Sequence, residues 1–210
     1  MQKTFQPRFA FFIGILVATV MPGATIYNES SQGDLSNSGL TPTLLPISLG
    51  SNTLTGTTGR DATAGIDRDY FTIVIPTGLQ LTSMIEQPGT TVGGATSFIG
   101  LQAGSQVTVA TNATDATGLL GWFHYGSTPN TDILPLIATP NQGSSGFTPP
   151  LGPGTYSFWI QDFNLGVFNY GFNLVLAQAT TPSAAPEPGS YLLAITGLGV
   201  VIASAKRARR

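Results

Sequence analysis

The chain has 210 residues, of which 41% are hydrophobic and 10% aromatic while only 9% carry charge, against about 25% in an average globular protein. That apolar content supplies a core for one domain with extensions, and the shortage of charge excludes a coiled coil and a charged disordered chain. Cysteine is absent and histidine occurs once, which removes disulfide frameworks, thiolate nucleophiles, cysteine zinc sites and chemistry that needs two imidazoles.

Charge is unevenly spread along the chain. Lys3 and Arg8 make the first 24 residues basic; Lys206, Arg207, Arg209 and Arg210 do the same for the last ones. Residues 25–181 hold nine acids against only Arg60 and Arg68. A body this acidic repels phosphate backbones, so nucleic acid is not expected as a partner.

Lys3 and Arg8 precede an uncharged apolar run over 9–21, too short to span a bilayer and built like the first two regions of a secretory signal. Cleavage is expected after Ala24, so residues 1–24 read as a signal peptide. Between Leu44 and Ala177 the apolar residues alternate at a period of two between Gly, Pro, Asn and Ser clusters, which is the pattern of half-buried strands. Strands are predicted over 44–49, 52–57, 70–75, 79–85, 96–101, 107–110, 119–125, 133–138, 155–162 and 168–176. In the last of these Phe168, Tyr170, Phe172, Leu174 and Leu176 share one face. Helical periodicity is expected only at the two ends. The predicted fold class is all-β: an antiparallel β-sandwich or jelly roll over 25–179, flanked by an N-terminal signal helix and a C-terminal hydrophobic helix.

Residues 180–185 are Thr, Pro, Ser and Ala only and read as an extended linker. Pro186-Glu187-Pro188 follows, then an uncharged apolar run over 191–205 and a basic end at Lys206, Arg207, Arg209 and Arg210. As a helix that run rises about 22 Å against a hydrocarbon core of about 30 Å. It would cross with Ser190, Tyr191 and a snorkelling Lys206 at its limits, the basic end remaining cytoplasmic. This order of motif, apolar helix and basic terminus over 186–210 resembles the PEP-CTERM sorting signal of Gram-negative bacteria. The resemblance implies recognition and cleavage near Pro186, Glu187 and Pro188 by an exosortase, an integral-membrane cysteine transpeptidase-like enzyme. It further implies a transient stay in the inner membrane and delivery to the outer surface or the extracellular polysaccharide matrix of a biofilm.

Within the body, GDLSNSG, SNTLTGTTG, DRDYFTIVIPTGLQLTSM, GPGTYSFWIQD and YGFNLVL, read in order over 27–177, resemble the bacterial pre-peptidase C-terminal type of β-sandwich. The aspartate-rich stretch usual in the middle of that module is TSFIGLQAGSQ here, so no ligand role tied to it carries over.

Asp67 and Asp69 flank Arg68 before the strand at Tyr70. If the strand extends back to Asp67, the two carboxylates share a face roughly 6.5–7 Å apart, within the spacing of glycosidase pairs. A hydrolase would need one of them desolvated beside a cleft, and the chain is expected not to be an enzyme. Calcium is the stronger functional reading: Asp61, Asp67 and Asp69, with Glu29 and Asp34, offer hard oxygen ligands that would staple loops of a secreted domain. Solvated loop acids are the competing reading, and no other cofactor is expected. Trp122 and Trp159, with Tyr125, Tyr156 and Tyr170, would give flat faces for sugar rings or simply fill a core. His124, alternating with Trp122, is a packed or edge histidine. Gly143-Ser144-Ser145-Gly146 lacks the spacers of a nucleophile elbow, and the only lysines are Lys3 and Lys206. The expected function is that of an exported structural or adhesive protein of the cell surface, with a calcium-assisted polysaccharide-binding module as the alternative and a secreted hydrolase as the second.

Overall fold

Strand alternation in the sequence becomes nine strands and two short helices in a computed structural model that describes residues 23–126 and 128–179. In chain order they are β1 (Ala24–Asn28), α1 (Glu29–Gln32), β2 (Thr43–Leu44), β3 (Gly50–Asp61), β4 (Gly65–Ile75) and β5 (Leu79–Glu86). Then come β6 (Ser97–Ala103), β7 (Gly121–Phe123), α2 (Leu134–Ala138), β8 (Gly154–Asp162) and β9 (Gly166–Gln178). The expected signal helix, the linker at 180–185 and the sorting signal at 186–210 lie outside the described residues.

The strands form two ladders. One runs β1-β3-β9-β5 and the other β2-β4-β8-β6-β7. Pairing is antiparallel except for β1 on β3 and β2 on β4. Strand β4 joins the two ladders: Gly65, Ile66 and Asp67 pair with the end of β3, and from Arg68 onward the strand pairs with β8. The class is therefore all-β and mostly antiparallel, as predicted.

One apolar cluster draws on both ladders. Leu54, Leu81, Met84, Phe172, Leu174 and Leu176 come from the first, and Phe71, Ile73, Ile99, Leu101, Phe158 and Ile160 from the second. Phe71 and Phe158, paired in register, stack at 4.7 Å. The other face of the second ladder carries a smaller cluster of Tyr70 and Trp159, closed over by Val107, Ala116 and Leu119.

Several elements depart from the sequence reading. The predicted strand over 133–138 is helix α2, because Pro135 sits in its first turn, where its missing N–H is tolerated, and Leu134, Ile137 and Ala138 fall on one buried helical face. Asp132 Oδ1 accepts from Leu134 N at 3.1 Å and Met84 N at 3.0 Å, tying the helix start to β5. Residues 107–110 form no strand, since Val107 N donates to Gly39 O and Gln102 Oε1 takes the Thr108 N–H. The strand expected over 44–49 ends at Leu44, just before Pro46, and that over 119–125 shrinks to Gly121–Phe123. Strand β1 was not predicted; it begins at Ala24, the last residue of the expected signal peptide, and so spans the expected cleavage point.

Replacing Phe158 by Ala removes a fully buried ring stacked on Phe71 and is expected to lower stability by about 3–5 kcal/mol in urea unfolding. Val74→Ala, on a 47% exposed outward position of the neighbouring strand, should change it by less than about 1 kcal/mol.

Candidate functional site

Strand β4 reads Asp67, Asp69, Phe71, Ile73, Ile75 along one face. Asp69 thus occupies the next inward position beyond the apolar run and has no solvent exposure. Neither carboxylate oxygen forms a hydrogen bond of good geometry, and the Tyr170 hydroxyl and the Glu29 carboxyl are the groups close enough to make one. Buried polar groups are paired in the great majority of cases, and an unpaired carboxylate is among the most costly exceptions.

Two further carboxylates reach Asp69 from the segment after β1. Asn28 Oδ1 accepts from Ser30 N and Gln32 Oε1 accepts from Asn28 N at 2.8 Å, a reciprocal cap that starts α1. Gly33, at φ +91°, then turns the chain so that Asp34 comes back towards Glu29. Glu29 Oε2 accepts from Thr57 N at 2.7 Å, and Oε1 accepts from Tyr170 OH at 3.2 Å and Leu35 N at 3.3 Å. Gly56, opposite Tyr170 in the β3–β9 register, makes this approach feasible: a Cβ there would stand 2.5 Å from the Glu29 carboxyl carbon. Glu29, Asp34 and Asp69 each bring a carboxylate oxygen within 4.8 Å of the others.

Burial, followed by the charges of Glu29 and Asp67, pushes the Asp69 carboxyl up to about 9. Asp67 is pushed up to about 6, by burial first and then by Asp34 and Glu29. Glu29 is also raised by burial, against the opposing pull of the Thr57 and Leu35 N–H groups. No arginine balances the cluster from the next position on β4, because Arg68 donates through Nε to Gln161 Oε1 at 3.0 Å. Calcium takes oxygen ligands at about 2.3–2.6 Å, so two ligands on opposite sides of one ion stand roughly 4.6–5.2 Å apart. Three oxygens that all lie within 4.8 Å of one another are close enough to share one such ion. The set contains no imidazole, which disfavours zinc. Glu29, Asp34, Asp67 and Tyr170 line a cleft of about 530 Å³, and Asp69, fully buried, is not part of its lining.

Of the sequence-predicted ligands, Asp69 is central and Asp67 lies next to it on the same strand face. Asp61 does not join them. It is exposed at the β3–β4 turn, where Oδ1 accepts from Thr63 N at 2.7 Å and Ala64 N at 2.8 Å, and these bonds hold its carboxyl below the usual range. Its role is to close the hairpin. Sequence reasoning named Glu29 and Asp34 only as available acids; no spacing rule linked them to Asp69.

Trp122 and Trp159 belong to a different surface. Tyr70 stacks on Trp159 at 5.6 Å, Phe98 meets Trp159 edge-on at 4.9 Å and stacks on Trp122 at 5.8 Å, and His124 meets Trp122 edge-on at 5.0 Å. Gly100, paired with both Trp122 and Trp159, leaves room for the Phe98 ring between them. Trp159 is buried and Trp122 half-buried, whereas Tyr125 and Tyr170 are core residues and do not join this row. Pro186, Glu187, Pro188 and the basic tail are outside the described residues, among which no helix is long and apolar enough to cross a membrane.

The raised carboxyls set a pH dependence. The folded chain keeps protons on Asp67 and Asp69 that the unfolded chain releases near pH 4, so in chelator stability should fall as pH rises from about 4 towards 9. Asp69→Asn should flatten this decline and raise the thermal midpoint at pH 8 in EDTA; an unchanged slope would contradict the assignment.

Comparison of the chain with protein-family models, with curated proteins and with solved structures gives no match.

Proposed function

We propose that this chain is the precursor of an exported bacterial surface or matrix protein whose body is a calcium-stapled β-sandwich. The reading of the body is carried by one observation: Asp69 is fully buried with both oxygens unpaired, beside the carboxylates of Glu29 and Asp34. Solvated loop acids need no such burial; a carboxyl held this way is met by a proton in the metal-free fold or by a cation, and the Glu29 and Asp34 oxygens beside it supply further ligands for the cation. Two ladders that share one apolar core support a sandwich or jelly-roll architecture.

In this reading calcium ties the β1–α1 segment to β4, drawing three acids together where their mutual repulsion would otherwise push them apart. The role is structural or adhesive, with no reaction assigned. Asp67 and Asp69 do share a face, but Asp69 points into the protein and suits a ligand better than a general acid. The tail supplies the address: an exosortase would recognise Pro186, Glu187 and Pro188, with the apolar run and Lys206, Arg207, Arg209 and Arg210 holding the precursor in the inner membrane. The mature protein then passes to the outer surface or extracellular matrix of a Gram-negative cell.

Calorimetric titration of the purified full-length chain with calcium should give one ion per chain. At a hundredfold excess over Kd the ion should stabilise the fold by about 2.7 kcal/mol. Asp69→Asn and Glu29→Gln should abolish the effect and Asp61→Asn should retain it; an unaltered midpoint with calcium would remove the staple. Mass spectrometry of the exported form should find a C-terminus close to Pro186–Pro188, and Arg210 on extracellular protein would refute processing.

A further inference from the structure

The geometry points to a second site, on the outer face of the second ladder, that takes one ring of a neutral hexopyranose. A cleft of about 200 Å³ lies there, with Phe98, Trp122 and Trp159 in its lining and Phe163, 40% exposed, beside them. Its size is below the roughly 300–1,000 Å³ of pockets that enclose drug-sized ligands, so it suits a single small ring.

Two polar groups at this cleft have their orientation set from behind. Gln161 is 3% exposed, and its Oε1 accepts from both Arg68 Nε at 3.0 Å and Trp159 Nε1 at 3.1 Å. That oxygen is fully used, which leaves the amide Nε2 as a fixed donor at the cleft wall. His124 Nδ1 contacts the carbonyl oxygen of Ser97. A carbonyl only accepts, so Nδ1 donates to it, and in the neutral ring Nε2 is left as an acceptor. The half-buried Trp122 and the exposed Phe163, flanked by one donor and one acceptor, offer the apolar area and polar partners that the C–H faces and hydroxyl groups of a sugar ring need.

Charge argues for a neutral sugar. The lining contains no lysine or arginine, and its one carboxylate, Asp115, has Oδ1 engaged by Thr117 N at 2.9 Å. An anionic sugar would meet no counter-charge. The proposal deepens the polysaccharide partner of the preceding reading and rests on it only for the source of the ligand, because the cleft shares no residue with the carboxylate cluster.

The test is titration of the full-length chain, in a detergent without a sugar headgroup, with cellopentaose, mannopentaose, chitopentaose and tri-galacturonate, followed by tryptophan emission. At least one neutral oligosaccharide should saturate with a Kd below about 1 mM, at least tenfold tighter than tri-galacturonate. His124→Ala and Phe163→Ala, both surface substitutions, should each weaken that binding about tenfold or more with the thermal midpoint unchanged. No saturation by any neutral oligosaccharide, equal or tighter binding of tri-galacturonate, or full binding by both variants overturns the site. Titrations are run in calcium and in EDTA. Saturation in either supports the sugar site, and its failure leaves the calorimetric result for calcium untouched.

Discussion

The body is organised around the burial of one charge-bearing group. Asp69 continues the inward row of Phe71, Ile73 and Ile75, so the register that seats the apolar core also places a carboxylate at its end. Moving β4 by one residue to free Asp69 would turn the whole row outward. The core thus holds the acid in place, and the acid must find its compensation locally: a proton, which its raised affinity reflects, or a cation shared with Glu29 and Asp34. The cation would draw in the segment that carries α1, which the parallel pairing of β1 with β3 and the bonds of Glu29 to Thr57 and Tyr170 already hold against the sheet.

Much of this was legible from periodicity. The alternation over Phe168 to Leu176 predicted the buried face of β9, and the placement of Asp67 and Asp69 on one face followed from strand geometry alone. What was not legible depends on contacts between residues distant in sequence. Glu29 reaches Thr57 and Tyr170 because Gly56 has no side chain to block it, and neither fact is written in the local pattern around Glu29. Residues 133–138 misled for another reason: a short apolar run has no decisive period, and Pro135 fits a first helical turn as readily as a strand end. The aromatic residues divided according to the face of the ladder each strand presented, so Tyr125 and Tyr170 went to the core while Trp122 remained half open.

The charged and aromatic residues gather on separate faces of the body. The carboxylates gather where β1, α1 and β4 meet; the row from Tyr70 to His124 crosses β4, β8, β6 and β7 on the other surface. Arg68 connects the two regions without serving as a counter-ion to the first, since its guanidinium orients Gln161. A chain with so few cations spends one of its two body arginines on holding an amide in place, which is a reason to regard that amide as more than packing.

The strand registers carry a mechanical consequence. Ala24 lies level with Asn52 and hence with Leu174, so the start of β1 and the end of β9 leave the body at the same pole of one ladder. Tension applied between those two points acts across the strands and would unzip β1 from β3 one bond at a time, the weak direction for a sheet. The peeling front would meet Glu29 immediately after Asn28, where its hydrogen bonds with Thr57 and Tyr170 would arrest it.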